Sequence, residues 1–123
     1  MWYRVVEAEG VRGPFKVSVS GYEYSLDDDQ GREVIAYHWH PESPNGWATF
    51  PHLHIEAGAE VGRKSLIGAH LPTERVAFEQ VLWVAVHELG VQPIRGDWED
   101  VLSSCLKAFQ RYRTWPNVEP LNQ

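Results

Sequence analysis

The sequence predicts an α+β fold, in which a four-stranded antiparallel sheet is followed by two C-terminal helices that pack on one face of it. Two observations carry this prediction. Apolar and polar residues alternate through much of the first half of the chain, which indicates strands separated by turns. Apolar residues recur every three or four positions in the second half, which indicates helices. Strands followed by helices favour an antiparallel sheet over a regular strand–helix alternation.

Two strands are predicted before the first acidic turn. The first strand covers Tyr3–Ala8, and the second begins at Phe15. Bulky residues occupy every second position as far as Val19 and then shift to even-numbered positions. A β-bulge at Gly21 would explain this change of parity. Asp27–Gly31 is predicted to be a polar turn. A calcium-binding loop is disfavoured, because the later glutamate of such a loop is missing.

The third and fourth predicted strands carry most of the histidine in the chain. They cover Glu33–His40 and Trp47–Glu56, and the turn-forming stretch Pro41–Gly46 joins them. Large apolar residues take odd-numbered positions, whereas even-numbered positions hold two His-x-His pairs: His38, His40, His52 and His54. Since alternate residues of a strand point to the same face, a hairpin would gather four imidazoles on one surface. Pro51 predicts a bulge or an edge position for the fourth strand.

A loop and a first helix are predicted next. Gly58–Gly68 is polar and rich in glycine, which is typical of a loop. The first helix is predicted over Val76–Leu89, with Thr73 as its N-cap and Gly90 as its end. His70 is predicted to be a cap or loop residue just before this helix.

The second helix is predicted over residues 98–114, with Asp97 as its N-cap. Residues 116–123 are predicted to form a tail. His87 and Cys105 lie within the predicted helices, where we expect an ordinary helix histidine and an inert core thiol on the apolar stripe of the second helix. The length of the chain and the lack of an internal repeat predict a single domain over residues 1–123.

Composition narrows the classes of function. The formal net charge is −6, which weakens any role that depends on gripping nucleic acid, because phosphate binding relies on Lys and Arg. A single cysteine excludes an internal disulfide and a cysteine-based zinc site. No apolar run approaches the ~20 residues of a membrane span, and the N-terminus lacks the pattern of a signal peptide. A cytoplasmic location is therefore predicted, without a membrane partner.

The histidine pattern itself leaves three interpretations open. The histidines could form a polar surface that faces solvent or a partner. Two of them could perform acid–base catalysis, as in metal-free RNA cleavage, with Arg4, Arg63 or Lys64 stabilising the phosphate. Three or four could ligate a metal ion, with Glu56 adding an oxygen. Neither the metal nor any other cofactor follows from the sequence.

Part of this region resembles a known family. The stretches Tyr37–Glu42 and Ala48–His54, followed by a helix that opens near Val76–Glu79, are similar to the TumE-like toxins of bacterial toxin–antitoxin modules. The resemblance covers roughly residues 33–85 and rests mainly on Thr49–His52 and His54.

The resemblance implies a small cytoplasmic toxin that a DNA-binding antitoxin neutralises, with His52 and His54 as functional residues. We therefore expect a toxin-like protein whose histidine-bearing sheet face meets RNA or an antitoxin. The candidate catalytic residues are His38, His40, His52 and His54. The alternatives are a non-enzymatic protein-binding scaffold, dimeric through an aromatic surface, and a histidine-ligated metal-binding protein.

Overall fold

The computed structural model describes residues 1–10, 13–42, 48–56, 60–61, 64–65 and 69–113. Within these residues the chain has an α+β fold, an antiparallel sheet followed by two α-helices. The chain divides into two compact units, Met1–Glu74 and Arg75–Gln123. The first unit contains the strands and the second contains the helices. The predicted single domain, and the packing of the helices on one face of the sheet, stay predictions. The proposed tail lies outside the described residues.

The main sheet has five strands, so the prediction of four was wrong. In spatial order they are β1, β2, β3, β4 and β7, which cover Trp2–Glu7, Phe15–Asp27, Glu33–Trp39, His52–Ile55 and Leu71–Pro72. The additional strand, β7, lies where the start of a helix was predicted. It forms because β4 offers a free edge, and the Thr73 N–H donates a hydrogen bond to the Pro51 carbonyl at 2.9 Å.

A separate two-stranded sheet lies within the segment that was predicted to be a loop. Its strands are β5, Glu60–Val61, and β6, Lys64–Ser65. Each has only two residues, which is too short for the alternation of a strand to show in the sequence.

A register shift in the first hairpin accounts for the change of parity seen in the sequence. Trp2 pairs with Gly21, but the next residue, Tyr3, pairs with Val19, so β2 contains one extra residue at this point. Gly21 also faces a crowded backbone, because a Cβ atom there would lie 2.9 Å from the carbonyl oxygen of Trp39. The bulge predicted around Gly21 therefore matches the register, and the close approach explains why glycine stands there.

Strand β4 is shorter than predicted, and it is not an edge strand. It begins at His52, directly after Pro51, which has no N–H to donate to a ladder. It pairs with β3 on one side and with β7 on the other. The expected start at Trp47 lies outside the described residues.

The strand register places histidines on a common face of the sheet. His38 lies opposite Glu23 on β2 and opposite His52 on β4, while Ala36 lies opposite His54. We call this surface the histidine face. Residues of the other parity, such as Tyr37 opposite Leu53, point to the other side of the sheet.

The helical unit differs from the prediction at the start of its first helix. Helix α1 covers Phe78–Trp83 and continues as a π-helical segment over Val84–Glu88. The N-cap is Ala77 instead of Thr73, because the Gln80 side chain accepts a hydrogen bond from the Ala77 N–H at 2.7 Å. The predicted end is confirmed, since Gly90 has a φ of 73°.

Helix α2 covers Trp98–Tyr112, close to its predicted range. Cys105 is exposed on this helix, so the prediction of a core position for it was wrong. Asp97 is the N-cap of α2 by position, but its carboxylate accepts hydrogen bonds from Arg95 at 2.8 and 2.9 Å and makes no side-chain capping bond. Within this unit, α1 and α2 contact each other, and the rings of Trp83 and Trp98 lie 5.2 Å apart. In the described part of the chain, the helices are too short or too polar to cross a lipid bilayer.

Candidate metal centre on the histidine face

Five of the six histidines form a continuous array of imidazole rings. Along this array, ring centroids lie 5.4 Å apart for His40 and His38, 4.7 Å for His38 and His54, and 5.0 Å for His54 and His52. His70 extends the array, with its centroid 4.5 Å from that of His54. The strand register therefore brings together all four histidines of the predicted hairpin and a fifth that was not expected.

Three of these rings come close enough to share one ion. The ligand atoms of His38, His52 and His54 all lie within 4.8 Å of one another. Zinc–nitrogen bonds of about 2.0–2.1 Å in tetrahedral geometry place ligand nitrogens roughly 3.4 Å apart. To bind a single ion, the three nitrogens must approach one another by no more than about 1.4 Å from the 4.8 Å limit.

The hydrogen bond of His52 fixes which ring nitrogen is available to a ligand. His52 Nδ1 lies 2.8 Å from the backbone carbonyl oxygen of Phe50. A carbonyl oxygen can only accept, so Nδ1 carries the hydrogen and Nε2 keeps its lone pair. Metal-ligating histidines typically hold their second nitrogen in this way, and the contact orients the ring before an ion arrives.

Burial favours the neutral, metal-binding form of His38 and His54. His52 is 3% exposed and His54 is 9% exposed. These two side chains therefore do not form the solvent-facing surface that was one of the three interpretations of the sequence. Burial lowers the pKa of His54, and the neighbouring His70 and His52 lower it further. Burial also lowers the pKa of His38 to about 4, although Glu23 acts in the opposite direction. His38 is therefore neutral at pH 7 and can ligate a cation without first losing a proton.

His38 also presents an unsatisfied polar atom. Its Nε2 is buried and has no hydrogen-bond partner among the described residues. The Oε1 atom of Glu23 lies 3.7 Å away, beyond hydrogen-bonding distance. Because the imidazole is neutral at pH 7, this contact is not an ion pair there. A buried nitrogen without a partner is costly in the free protein, and a bound cation would satisfy it.

Carboxylates surround the array and give it a negative electrostatic character. Glu23 Oε2 lies 3.9 Å from His40 Nε2, and Glu56 Oε1 lies 3.9 Å from His54 Nδ1. Burial raises the pKa of Glu33, and the nearby Glu56 and Glu23 raise it further. The ligand atoms of Glu23, Glu33 and His38 also lie within 4.8 Å of one another. This surrounding charge attracts cations and repels phosphate groups.

The basic residues proposed for phosphate stabilisation do not supply a counterbalancing charge in the described structure. Arg4 lies 4.0 Å from Glu42 and is paired with that carboxylate. Arg63 and the side chain of Lys64 lie outside the described residues. The described part of the site thus favours a bound cation over a phosphodiester.

Two members of the site were missed by reasoning from the sequence. Glu23 lies on the histidine face because it pairs with His38 on β3, and its alternation with Tyr22 and Tyr24 was the signal that could have placed it there. His70 was assigned to a cap or a loop, and its two-residue neighbour β7 is too short to reveal a strand. His87 belongs to the helical unit, where its ring stacks on that of Trp83 with the centroids 5.4 Å apart.

Comparison with known proteins adds no relative, since no family model, curated protein or solved structure matches the chain significantly. The resemblance to TumE-like toxins consequently stays a prediction. The geometry of the histidine face is the basis on which a function can be assigned.

Proposed function

We propose that this protein binds a divalent transition-metal ion through His38, His52 and His54. The carrying observation is that ligand atoms of all three side chains lie within 4.8 Å of one another on the histidine face. Imidazole ligands suit zinc, copper and nickel, whereas calcium and magnesium prefer oxygen. The protein is therefore proposed to select borderline or softer cations such as Zn²⁺.

Three further features support this proposal over a polar surface. The Phe50 carbonyl orients His52, as in known histidine–metal sites. Burial maintains His38 as a neutral ligand at pH 7. The carboxylates of Glu23 and Glu56 lie just outside the imidazoles, where they stabilise positive charge.

We expect the purified chain to bind one zinc ion tightly. Protein made without a polyhistidine tag is stripped with a chelator, titrated with Zn²⁺ against a chromophoric competitor, and subjected to elemental analysis. Free zinc at 100 times the dissociation constant should stabilise the fold by about 2.7 kcal/mol, seen as a rise in melting temperature. Magnesium is the control and should bind far more weakly. If zinc, copper, nickel and cobalt neither bind nor raise the melting temperature, the proposal is wrong.

The toxin hypothesis stays a prediction of a different class, with RNA as substrate and an antitoxin as partner. Cleavage by a histidine pair needs one imidazole that is protonated, which the lowered pKa of His54 opposes. The toxin hypothesis is tested by inducing expression of the chain in bacteria and measuring growth. A toxin should arrest growth, and replacing both His52 and His54 with alanine should relieve the arrest. Normal growth with the unaltered chain would rule out a toxin.

A protein-binding or dimeric role is favoured by a separate surface on β1 and β2. Tyr3, Val5, Phe15 and Val17 are each 61–63% exposed. β1 is an edge strand of the main sheet, and edge strands present unpaired backbone groups. Exposed apolar clusters often mark interfaces. Light scattering on the purified chain tests this prediction, and a strict monomer would count against the dimer.

A further inference from the structure

His70 lies beside the three proposed ligands because of the short strand that follows it. In the pairing of β4 with β7, His52 lies opposite Pro72 and Leu53 lies opposite Leu71. Continuing this antiparallel register by one residue places His70 opposite His54. The ring contacts agree, since the His70 centroid is 4.5 Å from that of His54 and 4.9 Å from that of His52.

The spacing of these rings matches that of imidazoles around one tetrahedral ion. With zinc–nitrogen bonds of 2.0–2.1 Å, each ring centroid lies about 3.2 Å from the ion, and neighbouring centroids lie about 5 Å apart. In the structure, the centroid separations among His52, His54 and their neighbours His38 and His70 run from 4.5 to 5.6 Å. Five of the six pairs among these four rings thus have the spacing expected around a common ion, with His52 and His54 each in contact with both His38 and His70.

We propose that His70 is the fourth ligand of the metal ion, which completes a four-histidine site with His38, His52 and His54. This proposal rests on the proposed function. The nitrogens of His70 are not among the atoms that lie within 4.8 Å of one another. Ligation therefore requires the His70 ring to turn about its terminal side-chain bond, a broad torsion in histidine whose rotation leaves the ring centroid near its present position.

A fourth protein ligand determines the class of metal site. Catalytic zinc sites keep one position open for water or substrate, whereas structural zinc sites are closed by four protein ligands. Ligation by His70 would therefore make the ion structural or stored, and not a centre that activates water. It would also tie β7 to β3 and β4 through the ion.

His40 provides a matched control, because it belongs to the same ring array but occupies its other end. Its ring contacts His38 at 5.4 Å and the Trp2 ring at 5.4 Å, and its Nε2 lies 3.9 Å from Glu23. Substitutions at His40 thus alter the histidine face without removing a proposed ligand.

The test uses cobalt(II) as a spectroscopic substitute for zinc in the tag-free full chain. His70→Ala should weaken cobalt and zinc binding by at least about tenfold, while His40→Ala should change it by less than about threefold. Azide should leave the visible cobalt spectrum of the unaltered protein unchanged, because no coordination position is open. In the His70→Ala protein azide should alter that spectrum by binding at the vacated position.

A second substitution reports direct ligation even if His70→Ala disturbs the fold. His70→Cys should give a sulfur-to-cobalt charge-transfer band in the near ultraviolet, and His40→Cys should give none. The proposal is overturned if His70→Cys lacks the band, if His70→Ala binds cobalt like the unaltered protein, or if azide perturbs the unaltered protein. The last two results, with metal still bound, would leave the three-histidine function intact. Failure of the unaltered protein to bind any of zinc, copper, nickel and cobalt would overturn both.

Discussion

Replacing His52 with alanine is expected to lower the affinity of the chain for zinc by at least about 100-fold. Loss of an outer partner of a metal ligand already costs about 10- to 100-fold, and loss of the ligand itself should cost no less. His52 is the most buried of the proposed ligands, at 3% exposure, and the Phe50 carbonyl holds its ring in place. Competition with a chromophoric chelator at pH 7.5 measures the change.

Two comparisons separate ligand loss from damage to the fold. His52→Gln keeps an N–H donor for the Phe50 carbonyl but replaces imidazole with a poor ligand, so it should lose zinc while it preserves more of the stability. His87→Ala removes an exposed histidine from the helical unit and should bind zinc normally. Wild-type affinity in a folded His52→Gln protein would show that His52 is not a ligand.

The metal-free protein is expected to lose stability as the pH falls from about 6.5 to about 4. Burial lowers the pKa of His38 from its ordinary 6.5 to about 4 in the folded state. Above pH 6.5 the imidazole is neutral in both states and contributes no pH dependence. Between the two values only the unfolded chain binds the proton, so unfolding becomes easier, by up to about 3 kcal/mol near pH 4.

The groups that face His38 set the size of this effect. Glu23 favours its protonation, whereas His54, His40 and His52 oppose it. The pKa of His54 is also lowered, so protonation of His54 likewise reduces the free energy of unfolding as the pH falls. Protonation of carboxylates contributes as well, but that contribution is nearly common to the unaltered protein and a His38 variant.

Urea unfolding of chelator-treated protein at pH 7, 5.5 and 4.5 measures the stability directly. His38→Asn removes the titrating ring, so the loss between pH 7 and 4.5 should be smaller than in the unaltered protein. His87→Asn should retain the full loss. An equal loss in the His38→Asn protein would show that burial of His38 is not the cause.

Residue parity let the sequence predict the histidine face. His38, His40, His52 and His54 all have even numbers, whereas Ile35, Tyr37, Leu53 and Ile55 have odd numbers. Side chains of a strand alternate strictly between its two faces. Because His38 pairs with His52, both histidines lie on the same face of the sheet. The same logic predicted α2 closely, because a long amphipathic repeat is informative over its 15 residues.

Local signals failed where neighbouring structure decided the outcome. Leu71–Pro72 is too short to show a period, and Thr73–Glu74 has the residue types that favour a helix start. Pairing with β4 outweighed that preference, and the Thr73 N–H donates a hydrogen bond to the Pro51 carbonyl. The Gln80 side chain accepts a hydrogen bond from the Ala77 N–H, so Ala77 is the N-cap and the helix begins at Phe78.

The sequence by itself determined which metal-binding groups this protein offers: six imidazoles, one cysteine and an excess of carboxylates. The alternation of residues along two strands placed four of these imidazoles at positions of the same parity. Only the tertiary structure decided which imidazoles converge. The pairing of β4 with both neighbours placed His54 between His38 and His70. The Phe50 carbonyl selected the nitrogen of His52 that is free to bind, and burial set the charge of His38. Distance, tautomer and burial depend on residues far apart in the chain, so no local pattern encodes them.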